Sequence, residues 1–125
     1  MRGRQERGGF YAAPTTVRPP SDTELSALIE TFAELRASVG EGVRPELMDE
    51  ALERVEELEE AANPDAPDVW VMAAARNWFV KHAPEMADSV TEVIHDPTVG
   101  RIVQAGGDAL VREYREKFPD APDIG

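Results

Sequence analysis

Apolar residues recur along most of this chain at intervals of three and four, the spacing that puts side chains on one face of an α-helix. The first run is Leu25, Leu28, Ile29, Phe32, Leu35 and Val39. It begins behind Ser21-Asp22-Thr23-Glu24, which has the S-x-x-E spacing of a capping box. There the serine side chain accepts from a backbone N–H and the glutamate reaches back. Gly40 predicts the end of this helix. A short loop, Gly40 to Arg44, leads to Pro45, which suits the first turn of a second helix. Met48, Ala51, Leu52, Val55, Leu58 and Ala62 form its apolar stripe, with Leu47 at the edge. Two helices joined in this way predict an antiparallel hairpin.

Asn63-Pro64 predicts the stop of helix two, since asparagine tolerates a left-handed cap and proline cannot continue the turn. Helix three is expected to start around Asp65 to Pro67, with Asp65 as its cap and Asp68 near its positive end, and to run to about Lys81. Val69, Trp70, Val71, Met72, Trp78, Phe79 and Val80 leave it only a narrow polar side of Arg76, Asn77 and Lys81. Such a helix is expected to have neighbours on several sides. Pro84 kinks it or opens a fourth helix, whose buried face is Met86, Val90, Val93 and Ile94. Asp96-Pro97 can cap and open a last helix reaching about Phe118, with Val99, Ile102, Val103, Leu110, Val111, Tyr114 and Phe118 as its apolar set. Gly106-Gly107 interrupts that set. Each glycine costs about 1 kcal/mol relative to alanine inside a helix, so the pair marks a bend or a close approach by another helix. No segment alternates in the manner of a strand. The fold expected is all-α, a compact bundle of about five helices spanning residues 21–118.

The motif PDAPD occurs twice, at Pro64–Asp68 and Pro119–Asp123. Each copy follows a long helix and stops it. A shift of 55 residues superposes helix two on helix five, but Leu52 then meets Gly107 and Leu58 meets Glu113, so the echo is not a duplication. Residues 119–125 read as an acidic C-terminal tail. Residues 1–20 have glycine, proline and arginine without periodicity and read as a disordered basic arm.

Composition sharpens this picture. At 125 residues and 42% hydrophobic, the chain can bury a core without staples. Aromatics are only 6%, so the core is expected to be mostly aliphatic, with Trp70 and Trp78 as its bulkiest candidates. There is no cysteine, which excludes disulfides and thiol chemistry. No apolar run approaches the roughly 20 residues of a membrane span, and the N-terminus has no signal-peptide pattern. A cytoplasmic protein is expected. Eleven arginines against two lysines suggest a GC-rich, bacterial genome.

Charge is the strongest functional signal. The net charge is −12, but residues 1–20 carry four arginines against one acid, residues 21–96 hold 19 acids against 5 bases, and residues 97–125 hold 5 acids against 4 bases. The helical part would repel a phosphate backbone. Nucleic acid is expected to be touched only through the arginine arm, residues 2–18, where Phe10 and Tyr11 follow the arginines. The outer face of helix two gathers Glu46, Asp49, Glu50, Glu53, Glu56, Glu57, Glu59 and Glu60 against Arg54 alone. Like charges at i,i+4, such as Glu46/Glu50 and Glu53/Glu57, oppose the helix. Such a ridge is usually a solvated face; at this density it also suits a basic partner, or the chain's own arm.

Catalytic signals are absent by comparison. There is no P-loop, no nucleophile elbow and no dinucleotide fingerprint. His82 and His95 have acids nearby in sequence (Glu85, Asp88, Glu92, Asp96), but there is no H-x-x-x-H or H-E-x-x-H pair to put two ligands on one helical face. Both read as cations at helix C-termini. No cofactor and no metal are expected. Trp70 and Trp78 read as core, with an exposed tryptophan anchoring a partner as the alternative. Ala105, Gly106, Gly107 and Ala109 make a small-residue seam for a helix of this fold or of a second copy.

The expectation is therefore a small acidic non-enzymatic interaction or assembly module, self-associating. Its basic protein partner would meet Glu46, Asp49, Glu50, Glu53, Glu56, Glu57 and Glu60, with Trp70, Trp78, Gly106 and Gly107 for apolar contact. The alternative is an inhibitor or antitoxin-like protein whose acidic helix, residues 45–62, masks a basic surface of a nucleic-acid-handling partner.

Overall fold

A capping box starts the first helix where the sequence places it. In the computed structural model, which describes residues 18–121, the Ser21 hydroxyl accepts from the Glu24 N–H at 3.1 Å and Glu24 Oε1 accepts from the Ser21 N–H at 2.9 Å. That backbone N–H, aided by the Arg101 and Arg18 guanidiniums, holds the Glu24 carboxyl below the usual carboxylate range. Helix α1 (Asp22–Gly42) runs two residues beyond Gly40. The reason lies in Val39 and Val43, one turn apart and both buried: continuing the helix carries Val43 into the core. The expected arm, apart from residues 18–20, lies outside the described residues, as do residues 122–125 of the expected tail.

Pro45 opens a 3-10 turn (Pro45–Leu47) rather than the α-helix itself, and α2 (Met48–Ala61) follows. The cap of α2, Ala62, has φ −91°, and the Asn63 side chain accepts from the Asp65 N–H at 2.8 Å. Helix α3 (Val69–His82) starts later than expected, and its cap is Asp68, whose carboxylate accepts from the Val71 N–H at 3.1 Å. The second proline of PDAPD explains the delay. Pro67 disfavours helical backbone at Ala66, so a helix begun at Asp65 could not continue.

Ala83 separates α3 from a 3-10 turn (Pro84–Met86) and α4 (Ala87–Ile94), so Pro84 opens a new element and does not kink α3. Asp96 caps α5 (Pro97–Ala105), accepting from the Thr98 N–H at 2.8 Å. The expected fifth helix is in fact two. Gly107 sits at φ +114°, ψ 170°, a backbone state essentially reserved for glycine, and α6 (Asp108–Lys117) departs in a new direction. The fold is a compact all-α bundle of six helices among the described residues, with no strands.

Helix α3 packs against α2, α4 and α6, which bears out its expected central position. Helix α1 packs against α2, α4 and α5. The core is mostly aliphatic. Its largest fully buried side chains are Tyr114, Phe32, Phe79 and Phe118, with neither tryptophan among them. Ile29 and Val80, though in phase with their apolar stripes, are exposed. Past α6, the Ala121 N–H donates to the Phe118 carbonyl at 3.0 Å and Ala121 packs against the core, so order continues into the second PDAPD. Among the described residues no helix is long and apolar enough to cross a membrane.

Tyr114 carries a polar group into this aliphatic interior. Its hydroxyl donates to the Ile94 carbonyl at 2.6 Å. Burial, with a smaller contribution from the Asp96 charge, pushes its pKa up to about 12.

Two predictions follow from these constraints. At Gly107 an added Cβ meets nothing within 4 Å, so Gly107→Ala is a test of backbone strain alone. It is expected to lower stability by roughly 1–3 kcal/mol in urea unfolding. Tyr114→Phe leaves the Ile94 carbonyl without its donor and is expected to cost about 1–3 kcal/mol at neutral pH. As pH rises, the phenol ionises first in the unfolded chain, near its ordinary value, and only later in the folded one. Stability from Tyr114 is thus complete below pH 10 and is lost as pH rises toward 12. Unfolding followed across that range is expected to show a loss in the native protein that Tyr114→Phe flattens.

Candidate interaction site

The acids of α2 repeat at three and four residues on the face turned away from the core, so helix geometry alone assembles them into a ridge. Glu46, Asp49, Glu50, Glu53, Glu56 and Glu60 are exposed, while Glu57 and Glu59 are half-buried. Half of these eight are engaged. Arg54 reaches Glu53 at 3.1 Å and Glu57 at 3.3 Å, Arg36 of α1 pairs with Glu59, and the Trp78 indole N–H donates to Glu50 at 3.1 Å. Among the described residues no hydrogen bond or ion pair engages Glu46, Asp49, Glu56 or Glu60.

The C-terminal end of α2 is the part of this ridge where a helix end adds to the side-chain charge. A helix C-terminus carries partial negative charge and is normally met by a cation. The last turns of α3 (Lys81, His82) and α6 (Arg115, Lys117) contain cations, whereas those of α1, α2, α4 and α5 contain no basic residue; that of α2 holds Glu60 and the Glu59 paired with Arg36.

Beside this end, α2 and α3 enclose a cleft of about 460 Å³. Ala61, Ala66, Val71 and Ala74 supply its apolar surface, and Glu57, Glu60 and Asp68 its rim. Apolar and acidic lining residues together suit a ligand that is itself amphipathic, with an aliphatic face and cationic ends. Asp68, Val71 and Ala74 were not anticipated as site residues. Their register on α3 was readable, but which face of α3 lies against α2 is a matter of tertiary packing.

The two tryptophans occupy different surroundings. Eight helical residues rotate a side chain by roughly 80° beyond two full turns, so each reaches a different neighbour. Trp78 is half-buried, edge-on to Phe79 with ring centroids 5.0 Å apart and tilted against His82 at 5.1 Å. Trp70 is 60% exposed. Its indole N–H donates to Glu113 at 3.1 Å, and Lys117 Nζ lies 3.8 Å from its ring centroid, so α6 holds it against α3.

Gly106 and Gly107 form the turn between α5 and α6. A Cβ on Gly106 would lie 2.4 Å from Leu110 Cδ1 and 3.2 Å from Pro67 Cγ. The neighbour that comes close is thus the loop between α2 and α3, and both glycines are accounted for by the fold. His82 stands exposed at the end of α3, and His95 caps α4. Among the described residues no three acids or histidines converge as a metal would require.

Compared with models of known families, with curated proteins and with solved structures, the chain has no match.

Proposed function

We propose that this chain is a small, acidic, non-enzymatic interaction module of the cytoplasm whose α2–α3 cleft receives a basic amphipathic segment of a protein partner. The observation behind this reading is the coincidence of three features at one end of α2. Apolar lining, the acids Glu57, Glu60 and Asp68, and a helix end with no basic residue in its own last turn lie together. Glu46, Asp49, Glu50, Glu53 and Glu56 extend the negative field along the helix and would steer a basic partner toward the cleft. An inhibitor masking a basic surface is the same interaction seen from the partner's side.

Self-association is the second half of the proposal. Trp70 and Val80 are exposed on α3, at 60% and 53%, and offer apolar contact to a second copy. Tryptophan is over-represented among the residues that dominate interface energies.

The cleft is tested by calorimetric titration of the full chain with a lysine–leucine amphipathic peptide. Glu57→Gln combined with Glu60→Gln is expected to weaken binding by about tenfold, equivalent to roughly 1.4 kcal/mol. Binding by the native protein is expected to fall steeply as salt is raised. Equal affinity of variant and native protein, or indifference to salt, refutes the cleft. Self-association predicts a mass above that of the monomer in size exclusion with light scattering, reduced by Trp70→Ser with Val80→Ser. A monomer at every concentration removes that half of the reading.

A further inference from the structure

Helix α1 turns part of its apolar stripe outward beside the end of α2. Ile29 is 60% exposed there. With Leu25, Leu28, Phe32, Ala62 and Pro64 it lines a second cleft of about 240 Å³, bounded on one side by the Glu59 that Arg36 holds. Apart from that edge and Asn63 the lining is apolar, so its occupant differs in chemistry from that of the α2–α3 cleft. We propose that this cleft is the seat of the chain's own N-terminal segment, residues 1–17, with Phe10 and Tyr11 as the side chains that enter it.

Reach is the first argument. The described chain begins at Arg18, whose guanidinium lies 3.8 Å from Glu24 at the start of α1. Ile29 is eight positions beyond Ser21, about 12 Å along the helix axis. Tyr11 is ten positions before Ser21, and a chain of that length spans up to about 33 Å. The segment is therefore long enough to fold back along α1 and place two rings beside Ile29.

Chemistry is the second. Phe10 and Tyr11 are adjacent aromatics in a stretch whose other residues are mainly arginine, glycine and alanine. The stretch 1–17 has Arg2, Arg4 and Arg7 against Glu6, whereas residues 21–96 hold 19 acids against 5 bases. The segment brings the opposite sign. It is also tethered. An attached segment meets its cleft at an effective concentration on the order of millimolar, so contacts too weak to retain a free peptide suffice. The proposal is separate from the α2–α3 cleft, and either can fail while the other stands.

The test is nuclear magnetic resonance of the full chain with labelled isoleucine and leucine methyl groups. Rings seated in the cleft displace the methyl signals of Leu25, Leu28 and Ile29. Phe10→Ala with Tyr11→Ala is expected to abolish that displacement while Leu58 and Ile102, buried elsewhere in the core, keep their shifts. Dilution is expected to change nothing. Identical cleft signals in native and variant protein overturn the proposal, as does a displacement that fades on dilution, which would assign the cleft to a second copy. Ile29→Lys, at an exposed position that the fold tolerates, supplies a second reading. Tryptic cleavage after Arg7 is expected to become several-fold faster in this variant, and an unchanged rate counts against the arm.

Discussion

A phenol hydroxyl inside an aliphatic core must find a partner, because leaving it unpaired costs more than the ring gains there. Tyr114 finds the Ile94 carbonyl, one of the last carbonyls of α4 and so one that the helix itself cannot satisfy. That single bond ties α6 to the end of α4. Much of the remaining architecture can be derived from it. For α6 to return to α4, the chain must reverse after α5, which Gly107 permits through a backbone state closed to other residues. The reversal brings Gly106 against Pro67 of the α2–α3 loop. With α6 so placed, Glu113 and Lys117 lie one turn apart beneath Trp70 and hold the first turn of α3. The angle at which α3 leaves that loop shapes the cleft it makes with α2.

What was legible in the sequence is what is local. The capping box at Ser21, the cap at Asp96 and the apolar periods of all the helices are determined within one or two turns, and each is found where the residues indicate. Misplaced features involve something beyond the turn. Asp65 and Asp68 are equally good caps by type, and only the effect of Pro67 on Ala66 separates them. Ile29 keeps perfect phase with Leu28 and Phe32, yet period gives the direction of a face and not its width. The width depends on how many neighbours flank α1. The tryptophans were assigned to the core by size, but each carries an indole N–H that needs an acceptor, and acceptors lie at the rim. Trp78 takes Glu50 and Trp70 takes Glu113.

The candidate site divides the same way. Its charges were visible because they follow the helical period of α2. The cleft was not, since its floor is contributed by two helices and by the loop between them. PDAPD, whose second proline delays α3, turns out to determine which α3 residues face that floor. The second copy plays a lesser part, as Ala121 merely packs over the end of α6.

The ridge itself costs the fold little. Like-charge pairs one turn apart oppose a helix by only about 0.2–0.5 kcal/mol each, and exposed charges are screened beyond about 8 Å at physiological salt. Arg54, Arg36 and Trp78 relieve half of the acids further. In the last turn of α2, Glu60 has no such relief among the described residues and adds to the partial negative charge of the helix end, whereas Asp68 across the cleft is favoured by the N-terminus of α3. The two sides of the cleft are thus electrostatically unlike: one acid is stabilised by its helix and the others are opposed by theirs. A cation entering there would meet Glu60 and Asp68 beside the Glu57 that Arg54 already holds, and would offset the dipole of α2. That difference is why the cleft, rather than the ridge as a whole, is the place where binding would be coupled to the stability of the fold.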